Sequence, residues 1–228
     1  MTTNKIQLAV VDMAGTTVAD DGLVVKAFEA AASAVEVPET GAERERARRY
    51  VLDTMGQSKI AVFRALFGTD DKAHQANAAF EAAYSALIDD GNAQPIDGAA
   101  EAITRLRDAG IRVALTTGFS GTTQEKLLAA LGWQSLADLV LAPGDGVRGR
   151  PFPDLILTAL MRLQVDGVHN VAALGDTSSD IDSALRAGCA IAAGTLTGAH
   201  SEEELRAAGA SHVVATVTDF ADLILLDR

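Results

Sequence analysis

Six short apolar runs are spaced along the chain, at Leu8–Val11, Ile111–Leu115, Leu139–Leu141, Val171–Leu174, Ala190–Ala193 and His212–Ala215. Each is too short for a helix and is bounded by polar or small residues, so each reads as a buried strand. Between the later runs, apolar residues recur at three- and four-residue intervals over Ala99–Ala109, Thr123–Leu131, Asp154–Leu163, Asp180–Ala187 and Glu202–Ala208. Gly110, Gly132 and Gly188 follow three of these segments and suit the left-handed cap that closes a helix. Strand and helix in alternation predict an α/β fold with a parallel sheet covered on both faces. In such sheets, ligands bind at the carboxyl ends of the strands.

The alternation stops between Asp20 and Ala93. Helical spacing runs through Gly22–Val35, Ala42–Met55, Ser58–Phe67 and Asp71–Ile88, with no strand-like run among them. The simplest organisation is a sheet domain made of residues 1–19 and 92–228, with a helical insert over 20–91 after the first strand. An insert placed over a strand-end site can exclude water and carry specificity residues. Leu23, Val24, Phe28 and Ala31 form a stripe that would pack within the insert or pair two subunits, so a homodimer through the insert is one reading of them.

Composition narrows the function. At a formal net charge of −12 the chain lacks the basic face that nucleic acid requires. No apolar stretch is long enough to span a bilayer, and the opening MTTNKIQLAVVD lacks the order of a signal peptide. A single cysteine, Cys189, leaves no internal disulfide and fits a reducing compartment, so the expectation is a cytoplasmic protein without membrane or nucleic-acid partners. An acidic chain that handles an anionic substrate must concentrate positive charge locally, through a divalent cation and a few placed Lys or Arg residues.

Four strand ends carry candidate chemistry. The run LAVVDMAGTT ends its strand on Asp12 and breaks into Ala14, Gly15 and Thr16. A strand-end carboxylate beside small residues suits nucleophilic attack on phosphorus, with close backbone access. Thr117 and Gly118 follow the second strand and suit a small cradle for phosphate oxygens. Arg150 lies in GVRGRPFPD, where Gly149, Pro151 and Pro153 restrict the loop and hold a guanidinium for a phosphoryl oxygen. In AALGDTSSD, Asp176 ends a strand and Asp180 lies four residues on at a helix start. Such hard oxygen ligands suit Mg²⁺, although Asp180 would also serve as an ordinary helix N-terminal charge.

The order of these motifs resembles the haloacid dehalogenase superfamily over essentially the whole chain: D-x-x-G-T, a helical insert, Thr-Gly, a basic residue before Pro, then G-D-x-x-x-D. The resemblance implies a Rossmann-like parallel-sheet core with a helical cap of the C1 type after the first strand. Ala14 where many members have a second aspartate, and Arg150 where lysine is usual, are similar to the phosphonoacetaldehyde hydrolase (phosphonatase) branch. So is Met55-Gly56-Gln57-Ser58-Lys59, which matches M-G-x-x-K, the motif whose lysine forms a Schiff base with the substrate aldehyde.

The resemblance then implies roles. Asp12 would form an aspartyl-phosphate, and Mg²⁺ would be held by Asp12, the Ala14 carbonyl and Asp176, with Asp180 in support. Gly15, Thr16, Thr117, Gly118 and Arg150 would surround the phosphoryl group. Lys59 would form the imine, with Met55 and Gly56 at its side. Ala14 and Lys59 explain each other, because carbon leaving as an enamine needs no acid beside Asp12 to protonate an oxygen.

Three positions depart from that branch: Val62 replaces a histidine, Gly22 a cysteine and Phe119 a tyrosine. Two substrate readings therefore stand. One is a small phosphonate, phosphonoacetaldehyde or a related phosphonoaldehyde. The other is a phosphate ester of a small metabolite, such as phosphoglycolate or a sugar phosphate, with Lys59 as a binding contact.

Overall fold

The computed structural model describes residues 5–226. Six parallel strands form one sheet in the order β3-β2-β1-β4-β5-β6. They are β1 Leu8–Asp12, β2 Arg112–Thr116, β3 Leu139–Leu141, β4 Val171–Gly175, β5 Ile191–Thr195 and β6 His212–Val214. All five residues of β1, β4 and β5 are buried, which is why these strands read as continuous apolar runs without alternation.

Strand β1 is the pivot. It pairs with β2 on one side, Asp12 opposite Thr116, and with β4 on the other, Val11 opposite Leu174. The chain runs outward through β2 and β3, then returns across β1 to begin β4. A reversal of strand order of this kind opens a crevice at the carboxyl ends, and Asp12 stands in it.

The helices of the sheet domain are α5 Ala99–Asp108, α6 Gly121–Leu131, α7 Asp154–Arg162, α8 Ser178–Ala187, α9 Glu202–Ala207 and α10 Val217–Leu226. The last was not predicted from the sequence; it buries Val217, Phe220, Ala221 and Ile224 and packs against α5. Helix α8 begins with a reciprocal cap in which the Thr177 side chain accepts from the Asp180 amide and the Asp180 carboxylate accepts from the Thr177 amide.

Between β1 and α5 the chain forms four helices, α1 Leu23–Ala34, α2 Ala42–Asp53, α3 Lys59–Phe67 and α4 Asp70–Asp89. The stripe Leu23, Val24, Phe28 and Ala31 is buried, and α1 packs chiefly against α4, so these residues are accounted for within one chain. Aromatic rings then run in sequence from Phe28 through Phe63 and Phe80 to Tyr84. Tyr84 meets Phe119, from the loop after β2, at 4.5 Å between ring centres. Helical insert and sheet therefore share one apolar core, with Phe119 as the bridge.

Candidate active site

The strand ends bring most of the predicted residues to one cavity of about 290 Å³. Asp12, Ala14, Met55, Gly56, Lys59, Thr117, Gly118, Arg150 and Asp176 all line it. Gly15, Thr16 and Asp180 stand directly behind it. Gly15 has φ +87°, and a Cβ there would lie 2.4 Å from Asp176 Oδ2, so both backbone and space require glycine. Thr16 Oγ1 donates to Asp176 Oδ1 at 3.2 Å.

At the deep end, Arg150 spans two carboxylates. Its Nη2 lies 2.6 Å from Asp12 Oδ1, and its Nη1 contacts Asp180 Oδ1. The Nε donor is buried without a hydrogen-bond or ion-pair partner in the protein, which leaves it available to an incoming anion, whereas Nη2 is taken up by Asp12. Asp180 is committed on both oxygens, to Arg150 and to the Thr177 amide and hydroxyl. It thus joins the guanidinium to the start of α8.

Burial raises the carboxyl of Asp12 to about 8, against the pull of Arg150. Burial and the neighbouring Asp180 raise Asp176 to about 7. Three buried carboxyl groups, Asp12, Asp176 and Asp180, face one guanidinium, too little positive charge to keep all three ionised, and a divalent cation would supply the rest. The donor set, all hard oxygen, fits Mg²⁺. Among the described residues these carboxylates do not already form a ligand cluster, and Arg150 takes an oxygen from each of two.

The outer end is built differently. Lys59 opens α3, is 8% exposed, and places Nζ 5.6 Å from the Phe119 ring centre and 5.9 Å from that of Phe80. Burial lowers its amine to about 8, while Asp20 acts in the opposite direction. The insert touches the sheet domain at glycines: the Lys59 amide donates to the Gly118 carbonyl at 3.2 Å, and a Cβ on Gly118 would lie 2.5 Å from the Gln57 carbonyl oxygen. A Cβ on Gly56 would lie 2.3 Å from Thr177 Oγ1. Gly118 therefore serves the close approach of the Lys59 loop, beyond the phosphate cradle expected of it.

Two parts of the cavity were missed in the sequence. The loop after β5 wraps Asp176: the Ala199 amide donates to Oδ2 at 2.8 Å, and Thr197 Oγ1 donates to the Gly15 carbonyl at 2.7 Å. Its signal was a Thr- and Gly-containing segment after a buried strand, GTLTG. Asp20 also lines the cavity, and nothing in the sequence singles it out within the linker pair Asp20-Asp21.

A family model described as haloacid dehalogenase-like hydrolase matches residues 6–188. The chain belongs to the haloacid dehalogenase-like hydrolases. It is 31% identical to a phosphonoacetaldehyde hydrolase of Bacillus cereus, over 81% of this chain and 74% of that one. This haloacid dehalogenase-like hydrolase is also 28% identical to a probable phosphatase, IndB, of Dickeya dadantii, over 93% and 90% of the two chains. Among solved structures, a hydrolase from Pseudomonas syringae superposes with a TM-score of 0.84 at 22% identity, covering 96% of this chain and 98% of that one. At that identity the likeness speaks for the fold.

Proposed function

We propose that this hydrolase acts with Mg²⁺ on a small phosphonate, phosphonoacetaldehyde or a related phosphonoaldehyde, cleaving the carbon–phosphorus bond with Lys59 as imine and Asp12 as nucleophile. The observation that carries this reading is one buried amine, lowered to about 8, in the same cavity as the strand-end carboxylate and its arginine. About one such amine in ten is neutral at pH 7, against fewer than about one in a thousand at the ordinary lysine value.

Residues 20–91 act as the cap, presenting Lys59, Met55 and Gly56 to the site. Asp12, the Ala14 carbonyl and Asp176 hold the Mg²⁺, which supplies charge neutralisation at the phosphoryl oxygens. Lys59 attacks the aldehyde carbon and water departs, leaving an iminium. An Asp12 oxygen then bonds to phosphorus as the carbon–phosphorus pair moves into the enamine. Arg150 Nε, with Thr117 and the loop at Gly118, binds the phosphoryl oxygens. Water releases phosphate from Asp12, and protonation and hydrolysis of the enamine restore Lys59. The carbon departs as an enamine, so Ala14 leaves no gap in the chemistry.

A second reading has an observation of its own. Val62, buried one helical turn after Lys59, offers no proton-transfer group. In that reading Lys59 is a charge contact for the distal end of a phosphate ester. The two separate on phosphate release from phosphonoacetaldehyde and from a panel including phosphoglycolate and small sugar phosphates. Release from the phosphonate, lost in Lys59→Arg together with borohydride trapping, supports carbon–phosphorus hydrolysis. Turnover of esters alone would replace it with the phosphatase reading.

A further inference from the structure

Imine formation at Lys59 moves protons twice. The ammonium must lose one before the amine attacks, and the carbinolamine oxygen must gain one to leave as water. Val62 can do neither, and Phe80 and Phe119, the rings nearest Nζ, are equally inert. Lys59 makes no ion pair among the described residues, although Asp12, Arg150 and Asp176 all act on it across the cavity. Those three belong to the phosphoryl end, where Arg150 holds Asp12 and the Thr16 hydroxyl and Ala199 amide hold Asp176.

Asp20 remains. It lines the same cavity as Lys59, and its charge is the one that acts most strongly on the amine. Its Oδ1 accepts from the Val24 amide at 3.1 Å, which pins the carboxylate to the first turn of α1. Burial raises its carboxyl above the usual aspartate value, with Asp21 adding to the rise, while Lys59 and the Val24 and Gly22 amides oppose it. Carboxyl and amine are thereby brought nearer to each other in proton affinity than they would be in water, which favours transfer in both directions. The Tyr84 hydroxyl is buried without a hydrogen-bond partner in the protein and lies within reach of the fields of Asp20 and Asp12.

We propose that Asp20, acting through one water across the cavity it shares with Lys59, is the proton acceptor and donor for that amine, taking a proton from the ammonium and returning it to the departing carbinolamine hydroxyl. The balance closes. Lys59 ammonium and Asp20 carboxylate give amine and carboxylic acid; amine and aldehyde give the carbinolamine; the carboxylic acid then protonates the hydroxyl, and water leaves with iminium and carboxylate remaining. The inference rests on the imine reading above.

The test uses the full chain with Mg²⁺ and phosphonoacetaldehyde, reading the rate of borohydride-trapped adduct at Lys59 by mass between pH 6 and 9. Asp20→Asn keeps an oxygen to accept the Val24 amide, so the helix start is preserved. If Asp20 were only a charged neighbour, neutralising it would lower the amine further and speed trapping at pH 7. As proton acceptor and donor, its loss slows trapping at pH 7 by about tenfold or more, and Asp20→Glu restores part of the rate. Unchanged or faster trapping in Asp20→Asn overturns the inference while leaving the imine intact. No adduct in the unaltered protein removes the imine and this inference together.

Discussion

Arg150 approaches Asp12 at 2.6 Å in a place where both side chains are almost wholly excluded from water. The same guanidinium holds Asp180, so one cation balances two carboxylates at the deep end of the cavity. Removing one partner of a buried charge pair strands the other, at a cost of about 3–5 kcal/mol. Arg150→Ala should therefore lose stability in EDTA and recover part of it in Mg²⁺, because the divalent cation offsets the stranded carboxylates. Urea unfolding with and without Mg²⁺ measures this. A variant whose deficit is equal in the two conditions would show that the metal does not share these carboxylates. Turnover should fall by about a hundredfold or more, as when one oxyanion donor is lost.

Lys59 should betray its burial through its pH profile. Its reaction with an amine-directed acylating reagent should rise with pH and level off above about 8, whereas exposed lysines continue to rise past 10. The sign of the stability effect follows from proton counting. Between about 8 and 10.5 the unfolded chain holds a proton on this amine that the folded chain has released. Stability from this one group therefore rises with pH across that window, and the full burial penalty applies below it. Lys59→Met should flatten this part of the pH dependence. A reactivity midpoint near 10 in the native protein would contradict the assignment.

What could be read in advance divides along physical lines. Strands β1 and β4 are short and uniformly apolar because both faces are covered, and their ends carry Asp12 and Asp176 with their glycines, so fold class and the cavity at the strand ends were legible together. Helix α10 was not, since ADLILL at its end is so apolar that the pattern Val217, Phe220, Ala221, Ile224 is masked. Asp180 was legible as either a helix-start charge or a site residue; in the structure it caps the start of α8 with one oxygen on Thr177 and holds Arg150 with the other. Asp20 and Tyr84 were invisible. Nothing in one dimension tells that a linker carboxylate lines the same cavity as the Lys59 amine, or that its charge acts on a buried helix tyrosine.

The join between insert and sheet domain rests on backbone approaching backbone, and Gly118→Ala probes it. The added Cβ would sit 2.5 Å from the Gln57 carbonyl and 2.9 Å from that of Gly56. The 56–59 loop must retreat, taking with it the bond from the Lys59 amide to the Gly118 carbonyl. A displacement of about 1 Å at a reacting group costs about a hundredfold in rate. The expected result is a loss of that order in kcat/KM with the circular dichroism spectrum unchanged. Ordinary activity would mean that the loop stands off the sheet domain during turnover.

Ala14→Asp tests the leaving-group argument directly. Ala14 lines the cavity two residues beyond Asp12, so a carboxyl there would reach the atom that departs from phosphorus. An alkoxide needs a proton as it leaves, and a placed general acid contributes about a hundredfold or more to such a step. An enamine carbon needs none at that moment, and p-nitrophenolate is stable enough to leave unaided. The variant should therefore raise hydrolysis of alkyl esters such as phosphoglycolate, leave p-nitrophenyl phosphate little changed, and slow the phosphonate through repulsion between the new carboxylate and Asp12. The measured quantity is the ratio of kcat/KM among the three substrates. Alkyl and aryl esters rising together would show that the new side chain acts on phosphoryl binding, and that Ala14 is not what selects the leaving group.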